Sequence, residues 1–322
     1  MALLPLLIFP LLLPSTVALR DLGEPNWKCD PSVMKKSAGN GAGAAAGDIN
    51  DVNTEYRGLT FSVGGDKTLE EHVTLANVIK KFNPVLVGYS TGKGTADQWG
   101  SAQLNGGIPG ATAAGLLHQA AELVKLFKTH YASHAPARFR EFIRETIQYL
   151  QKHLPKTIVV LTGALDPSGI AKMGLNNPQC AAMHKAICPC FNKTIPLAEI
   201  TAISQKMLKL EKVLEETGEF DDKEDFTLVI QPFFEQLEVP KEVNGISPLE
   251  FFAPDCFHLS QYGHAVIGKN LWNSVIKPVR SKPIKTNVDN IDFKLGCPDP
   301  TCPFLRTIKN SKDCKKFMTP TA

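Results

Sequence analysis

The sequence predicts an α/β fold with a parallel sheet, and three observations carry that expectation. Short β-branched runs at residues 158–161 and 226–230 are flanked by longer stretches whose apolar residues recur at helical spacing. Strand-like and helix-like segments alternate along the chain, as crossover connections between parallel strands require. The 322 residues are 43% hydrophobic, enough for one core of ordinary size.

Taken in order, residues 1–18 carry no charged side chain, are dominated by Leu and end on small residues around Thr16 and Ala18. This is the pattern of a secretory signal peptide cleaved near Ala18. Pro5, Pro10 and Pro14 interrupt the run, which falls short of the ~20 apolar residues a spanning helix needs. Residues 68–82 place Leu69, Val73, Val78 and Phe82 on one helical face, and residues 111–131 do so through Leu116, Leu123, Val124 and Phe127, with Thr112 as cap. Pro136 opens a helix that turns Phe139, Phe142, Ile143, Ile147 and Leu150 inward before Pro155 stops it. The strand at 158–161 follows, then a long helix over 197–217 ended by Gly218, then the strand at 226–230. The last helix starts at Ser260 and ends before Pro278. After Val279 the chain is loop-like, with 9 Lys or Arg against 4 Asp, a local charge of 9 − 4 = +5. That charge suits either a patch for anionic lipid headgroups or a solvated, disulfide-pinned tail, and the tail is the simpler reading. The expected division is a leader at 1–18, one domain at 19–278 and a basic, cysteine-bearing extension at 279–322.

With 35 basic and 32 acidic side chains the net charge is +3, which excludes a strongly basic nucleic-acid binder. An exported chain with eight cysteines is expected to hold most of them as disulfides, and the number of possible pairings prevents a choice among them. Zinc is the competing reading of Cys180, Cys188 and Cys190, but no His pair follows at finger spacing. Asn192-Lys193-Thr194 fits a glycosylation sequon.

The stretch from Phe251 through Ser260 contains Asp255 and His258 as Asp-x-x-His. In serine-type hydrolases a carboxylate at this offset fixes the imidazole tautomer through one ring nitrogen, so the other takes a proton from a hydroxyl. Alone the spacing is common, and a loop aspartate beside a helix-start histidine reads equally well. The flanking phrases supply context: PDCFHLSQYGH around the pair, QPFFE at 231–235, PFLRT at 303–307 and YRGLTFSVGGD at 56–66. Together they resemble the membrane-associated phospholipase B family of GDSL, or SGNH, hydrolases, over about residues 37–311.

The resemblance implies a three-layer, flavodoxin-like parallel sheet and cofactor-free, metal-free hydrolysis of acyl esters in phospholipids and lysophospholipids. It implies Asp255 and His258 as the acid–base pair and Gly110, in Ile108-Pro109-Gly110-Ala111, as an oxyanion N–H donor. The family's nucleophile precedes an Ala-Gly-Asn-Gly segment, present here as Ala38-Gly39-Asn40-Gly41, yet Lys35 stands at the serine position and Gly-Asp-Ser is absent. Ser37, two positions later, is the candidate substitute. Between His130 and Arg138 a strand and a Gly-Gly-Asn-Asp block are also missing. Each loss removes a strand together with its catalytic tip, the pattern of skipped coding segments rather than gradual decay. Loss of a serine nucleophile costs about 10⁶ in turnover, so the chain as written is expected to be weakly active or inert, with a non-catalytic secreted lipid-binding or partner protein as the alternative. Contact with a membrane surface would be peripheral, and no protein partner is inferable.

Gly88-Tyr89-Ser90-Thr91-Gly92 also fits the G-x-S-x-G elbow of α/β-hydrolases after Val85, Leu86 and Val87, which would make Ser90 a nucleophile. The Gly- and Thr-containing residues that follow nucleate a helix poorly, against that reading. His118, His130, His134 and His264 receive no role, and Asp66 and Asp166 read as turn residues.

Overall fold

The computed structural model describes residues 2–6, 43–84, 86, 88–108, 119, 139–187, 196–237, 248–288 and 293–318. Among these, the elements in chain order are β1 (Ala2–Leu6), α1 (Leu75–Phe82), α2 (Trp99–Ala102), α3 (Phe139–His153), β2 (Thr157–Thr162), α4 (Ser168–Asn176), α5 (Pro178–Ile187), α6 (Leu197–Glu216), β3 (Phe226–Gln231), α7 (Gln261–Val275) and α8 (Ile308–Lys312), with short 3-10 turns between them.

The sheet is parallel, in the order β1-β2-β3. All six residues of β2 and all six of β3 are buried, as expected of strands covered on both faces. Ile158, Val160 and Val229 face one core with α1 and α7, whereas Val159, Leu161, Leu228 and Ile230 face a second core with Ile143, Ile147 and Leu150 of α3 and Leu214 of α6. The alternation of β-branched residues along each strand divides its side chains between these two cores.

β1 was not expected in the fold. Its residues belong to the stretch that reads as an export leader, yet Ala2 pairs with Thr157 and Leu6 with Leu161. A strand buried on both faces needs a backbone partner along each edge, and β1 supplies it to β2 on the side away from β3. Pro5 is tolerated because β1 is an edge strand.

Several boundaries shift from expectation. The helix predicted over 68–82 begins only at Leu75, because the Thr74 hydroxyl accepts the Asn77 N–H as N-cap and sets the first turn there. The predicted helix over 111–131 lies outside the described residues, apart from residue 119. α2, α4 and α5 were not anticipated; α4 and α5 have short or weakly periodic patterns. Leu86 is buried but belongs to no strand. Gly218, in the left-handed region at φ +67, follows α6 as its sequence position implied.

The C-terminal region is less loop-like than its composition suggested. Val288, Leu295 and Leu305 join the α1–α7 core, the Trp272 indole N–H donates to the Gly296 carbonyl at 2.7 Å, and the Arg306 N–H donates to the Val275 carbonyl at 2.8 Å. α8 is a short helix with a full capping box between Thr307 and Asn310.

Candidate active site

Asp255 and His258 meet in a tight loop before α7. The loop is closed by the Phe252–Leu259 antiparallel bridge and by the Ala253 N–H donating to the His258 carbonyl at 2.6 Å. Asp255 is fully buried; its Oδ1 accepts the N–H groups of Phe257 and His258, both at 2.9 Å. Its Oδ2 accepts Nδ1–H of His258 at 2.6 Å. One carboxylate thus shapes the turn with one oxygen and orients the imidazole with the other. The sequence-predicted pair is therefore a pair in space.

The loop is tied down on two sides. Cys256, whose φ of +60 is uncommon for a residue with a side chain, is disulfide-bonded to Cys180 of α5. His184, one turn further along α5, donates from Nε2 to the Cys256 carbonyl at 3.3 Å, and burial pushes its pKa down. On the other side, the Ser260 hydroxyl caps α7 by accepting the Gly263 N–H at 3.0 Å, while it donates to the Glu250 carbonyl at 2.5 Å. The disulfide removes Cys180 from any zinc set; Cys188 and Cys190 lie outside the described residues.

The backbone downstream of Ala-Gly-Asn-Gly reaches this loop. Gly43 has φ +68, and a Cβ there would lie 3.7 Å from Cβ of His258 and 3.4 Å from that of Ala253. Glycine suits the left-handed backbone and the tight approach of the Val52 carbonyl oxygen, 3.2 Å from such a Cβ, while the distance to His258 is that of an ordinary packing contact. Lys35, Ser37, Gly110 and Asn192 lie outside the described residues. The segment leading to Gly110 is held by Arg57, which is fully buried. Its guanidinium donates to the carbonyls of Gly94 at 2.6 Å, Asn105 at 2.8 Å and Gly107 at 2.7 Å, and pairs with Glu55.

Ser90 does not present a nucleophile at an elbow. It is fully buried; its hydroxyl donates to the Arg57 carbonyl at 2.6 Å and accepts from Asn105 Nδ2 at 3.1 Å, and the next helix, α2, begins only at Trp99. The physical reason is the one the sequence offered: Gly92 and Gly94 both take positive φ and keep the chain out of a helix. His264 is a packed residue: its ring stacks on Phe61, Nδ1 accepts the Phe61 N–H at 3.2 Å, and burial, assisted by the His72 and His258 rings, pushes its pKa down to about 3. Asp166 accepts the Ser168 N–H two residues on at 2.9 Å, as a turn residue does, whereas the Asp66 carboxylate accepts the Gly92 N–H at 2.9 Å and ties together two segments 26 residues apart.

Sequence reasoning missed the Cys180–Cys256 link, the His184 contact and the approach of Gly43. The signal for the first was Cys256 inside Asp-x-x-His, but its partner is 76 residues away and sequence cannot choose it.

Comparison with known proteins decides the lineage. The chain is 33% identical over 315 residues to the membrane-associated phospholipase B1 of Mus musculus and 32% identical over 308 residues to that of Homo sapiens, in each case across 85% of this chain and 21% of the relative. The chain is a phospholipase B relative. The Rattus norvegicus protein of the same name is 34% identical over 312 residues. The chain spans about one fifth of the length of these relatives (21%). No family model matches it, and no solved structure does.

Proposed function

We propose that this chain is a phospholipase B-type domain of the three-layer SGNH class that keeps the acid–base half of an acyl-ester hydrolase and, as written, is weakly active or inert. The observation that carries the reading is the buried Asp255–His258 pair, joined at 2.6 Å, in a chain whose sequence lacks the Gly-Asp-Ser block. In the complete reaction a serine hydroxyl attacks the ester carbonyl of a phospholipid or lysophospholipid. His258 takes the proton and returns it to the leaving alcohol, Asp255 holds the ring, and the Gly110 N–H stabilises the oxyanion. No cofactor or metal takes part. Without a nucleophile, Asp255 and His258 do not by themselves cleave an ester. Export, removal of residues 1–18 and glycosylation at Asn192 belong to the same reading.

A lipid-binding, non-catalytic role is the second reading, favoured by Lys35 standing where the family has its serine. Fatty-acid release from phosphatidylcholine and lysophosphatidylcholine separates the possibilities. The expected rate is at background and unchanged in His258→Ala. Clear turnover that disappears in Ser37→Ala would overturn the inert reading and make Ser37 a substitute nucleophile. Lipid retention without release would establish the binding role.

A further inference from the structure

The tip of the C-terminal region displays apolar and basic side chains side by side. Phe317 and Met318 are 41% and 40% exposed, two of the five large hydrophobic residues most open to water among the described residues. They are consecutive, whereas isolated surface hydrophobes are ordinary and carry no argument. Lys312, Lys315 and Lys316 around them are exposed, and Asp313 is the acid among them. The Asp313 carboxylate accepts the Lys315 N–H at 3.2 Å and so shapes the turn between α8 and the tip.

The scaffold beneath is closed. Cys302 is disulfide-bonded to Cys314, three residues before Phe317. The Asn310 side chain donates to the Leu305 carbonyl at 2.9 Å and accepts the Thr307 N–H at 2.9 Å, and the Ser311 hydroxyl accepts the Val279 N–H at 3.1 Å. These bonds fix α8 against the body of the protein, so Phe317 and Met318 are held outward rather than folded back into a core. Holding two apolar side chains in water has a cost that a covering partner removes. The surrounding charge selects the partner: three lysines against one aspartate favour an anionic surface, and paired apolar side chains favour one with an acyl layer beneath its charges.

We propose that the Lys315-Lys316-Phe317-Met318 tip is a docking site for the surface of an anionic phospholipid membrane, with the lysines at the headgroups and Phe317 and Met318 inserted below them. This site is separate from the Asp255–His258 loop and stands whether or not the chain hydrolyses lipid.

Co-sedimentation of the full chain with vesicles of phosphatidylcholine alone, and of phosphatidylcholine with 30% phosphatidylserine, about that of a strongly anionic surface, tests the proposal. The expected result is retention on the anionic vesicles, weakened by added salt, with little on the neutral ones. Each lysine near such a surface contributes about fivefold to partition, so Lys315→Gln with Lys316→Gln is expected to lower it about 25-fold. Phe317→Ser with Met318→Ser is expected to lower it by at least about tenfold at unchanged charge. All four positions are exposed, and an unaltered circular dichroism spectrum verifies that the variants fold. Ile203→Ser, at an exposed apolar residue of α6, is expected to leave partition unchanged. Equal retention on neutral vesicles, or full retention by the lysine variant, would overturn the proposal. So would full retention by the Phe317/Met318 variant, since it would mark a simple polyanion patch, or an equal loss in Ile203→Ser, since it would mark diffuse adsorption.

Discussion

Cys180 of α5 is covalently joined to Cys256, the residue immediately after Asp255, so the Asp255–His258 loop is stapled to a helix 76 residues earlier in the chain. Opening that link by Cys180→Ser releases a long loop in the unfolded chain and frees a left-handed turn in the folded one. The expected loss is about 2–4 kcal/mol of stability, measured by denaturant titration under non-reducing conditions. Amide exchange at Phe257 and His258 is expected to accelerate in the same variant, because their N–H bonds to Asp255 then lose their outer support. Unchanged exchange would mean that the Asp255 carboxylate holds the turn by itself.

Glu211, on α6, gives the fold a pH dependence of predictable sign. Its carboxyl accepts the Ala164 N–H at 2.9 Å, and burial pushes its pKa up to about 8 from an ordinary 4.5. The folded chain therefore keeps a proton that the unfolded chain releases. Its contribution to stability is complete below about pH 4.5 and declines as the pH rises toward 8, by up to about 1.4 kcal/mol per pH unit. Glu211→Gln keeps the acceptor for Ala164 and removes the titration. Comparing denaturant midpoints of the two proteins at pH 5 and pH 8.5 is expected to show the variant gaining relative stability at the higher pH.

The site was legible where chemistry is local and obscure where it is not. Asp255 and His258 are three residues apart, so one short loop fixes their geometry and the sequence carries it. β2, β3 and the long helix α6 were readable because each runs long enough for its period to show. Ser90 shows the reverse: its motif is local, but its burial comes from Arg57 and Asn105, which no window around residue 90 contains. The position of β1 was hidden for a different reason. Ala2–Leu6 has leader composition, and its strand pairing depends on the open edge of β2 more than 150 residues later.

Because Ala2–Leu6 pairs with β2, the proposed removal of residues 1–18 carries a structural cost for the sheet. A chain beginning at residue 19 lacks β1 and exposes the β2 edge from Thr157 to Leu161. The expected consequences are a loss on the order of 3 kcal/mol in stability and concentration-dependent association through the bared strand. Light scattering and thermal melts of the two forms over a dilution series measure both. Identical melts would show that the edge is satisfied without Ala2–Leu6.

Ser90→Ala tests whether the elbow-like motif is structural. The substitution leaves the Asn105 amide without the hydroxyl it donates to and the Arg57 carbonyl with only the Thr60 N–H as donor, at an expected cost of about 1–3 kcal/mol. Fatty-acid release is expected to stay where the unaltered chain has it. A normal melting temperature with abolished release would reverse that assignment.

Gly263, in the first turn of α7, is where the helix meets the loop carrying Asp255 and His258. A Cβ at this position would lie 2.1 Å from the Phe251 carbonyl oxygen, a backbone atom that cannot swing aside. The same carbonyl accepts the Ser260 N–H at 3.1 Å, so displacing it pulls on the N-cap of α7 and on the far end of the 252–259 loop together. Gly263→Ala raises intrinsic helix propensity by roughly 1 kcal/mol, and the overpacking opposes it by about 1–3 kcal/mol. The contact is with backbone at well under van der Waals distance, so the unfavourable effect is expected to win and the melting temperature to fall. A variant at least as stable as the parent would show that Phe251 and the turn before it yield without disturbing Asp255 and His258.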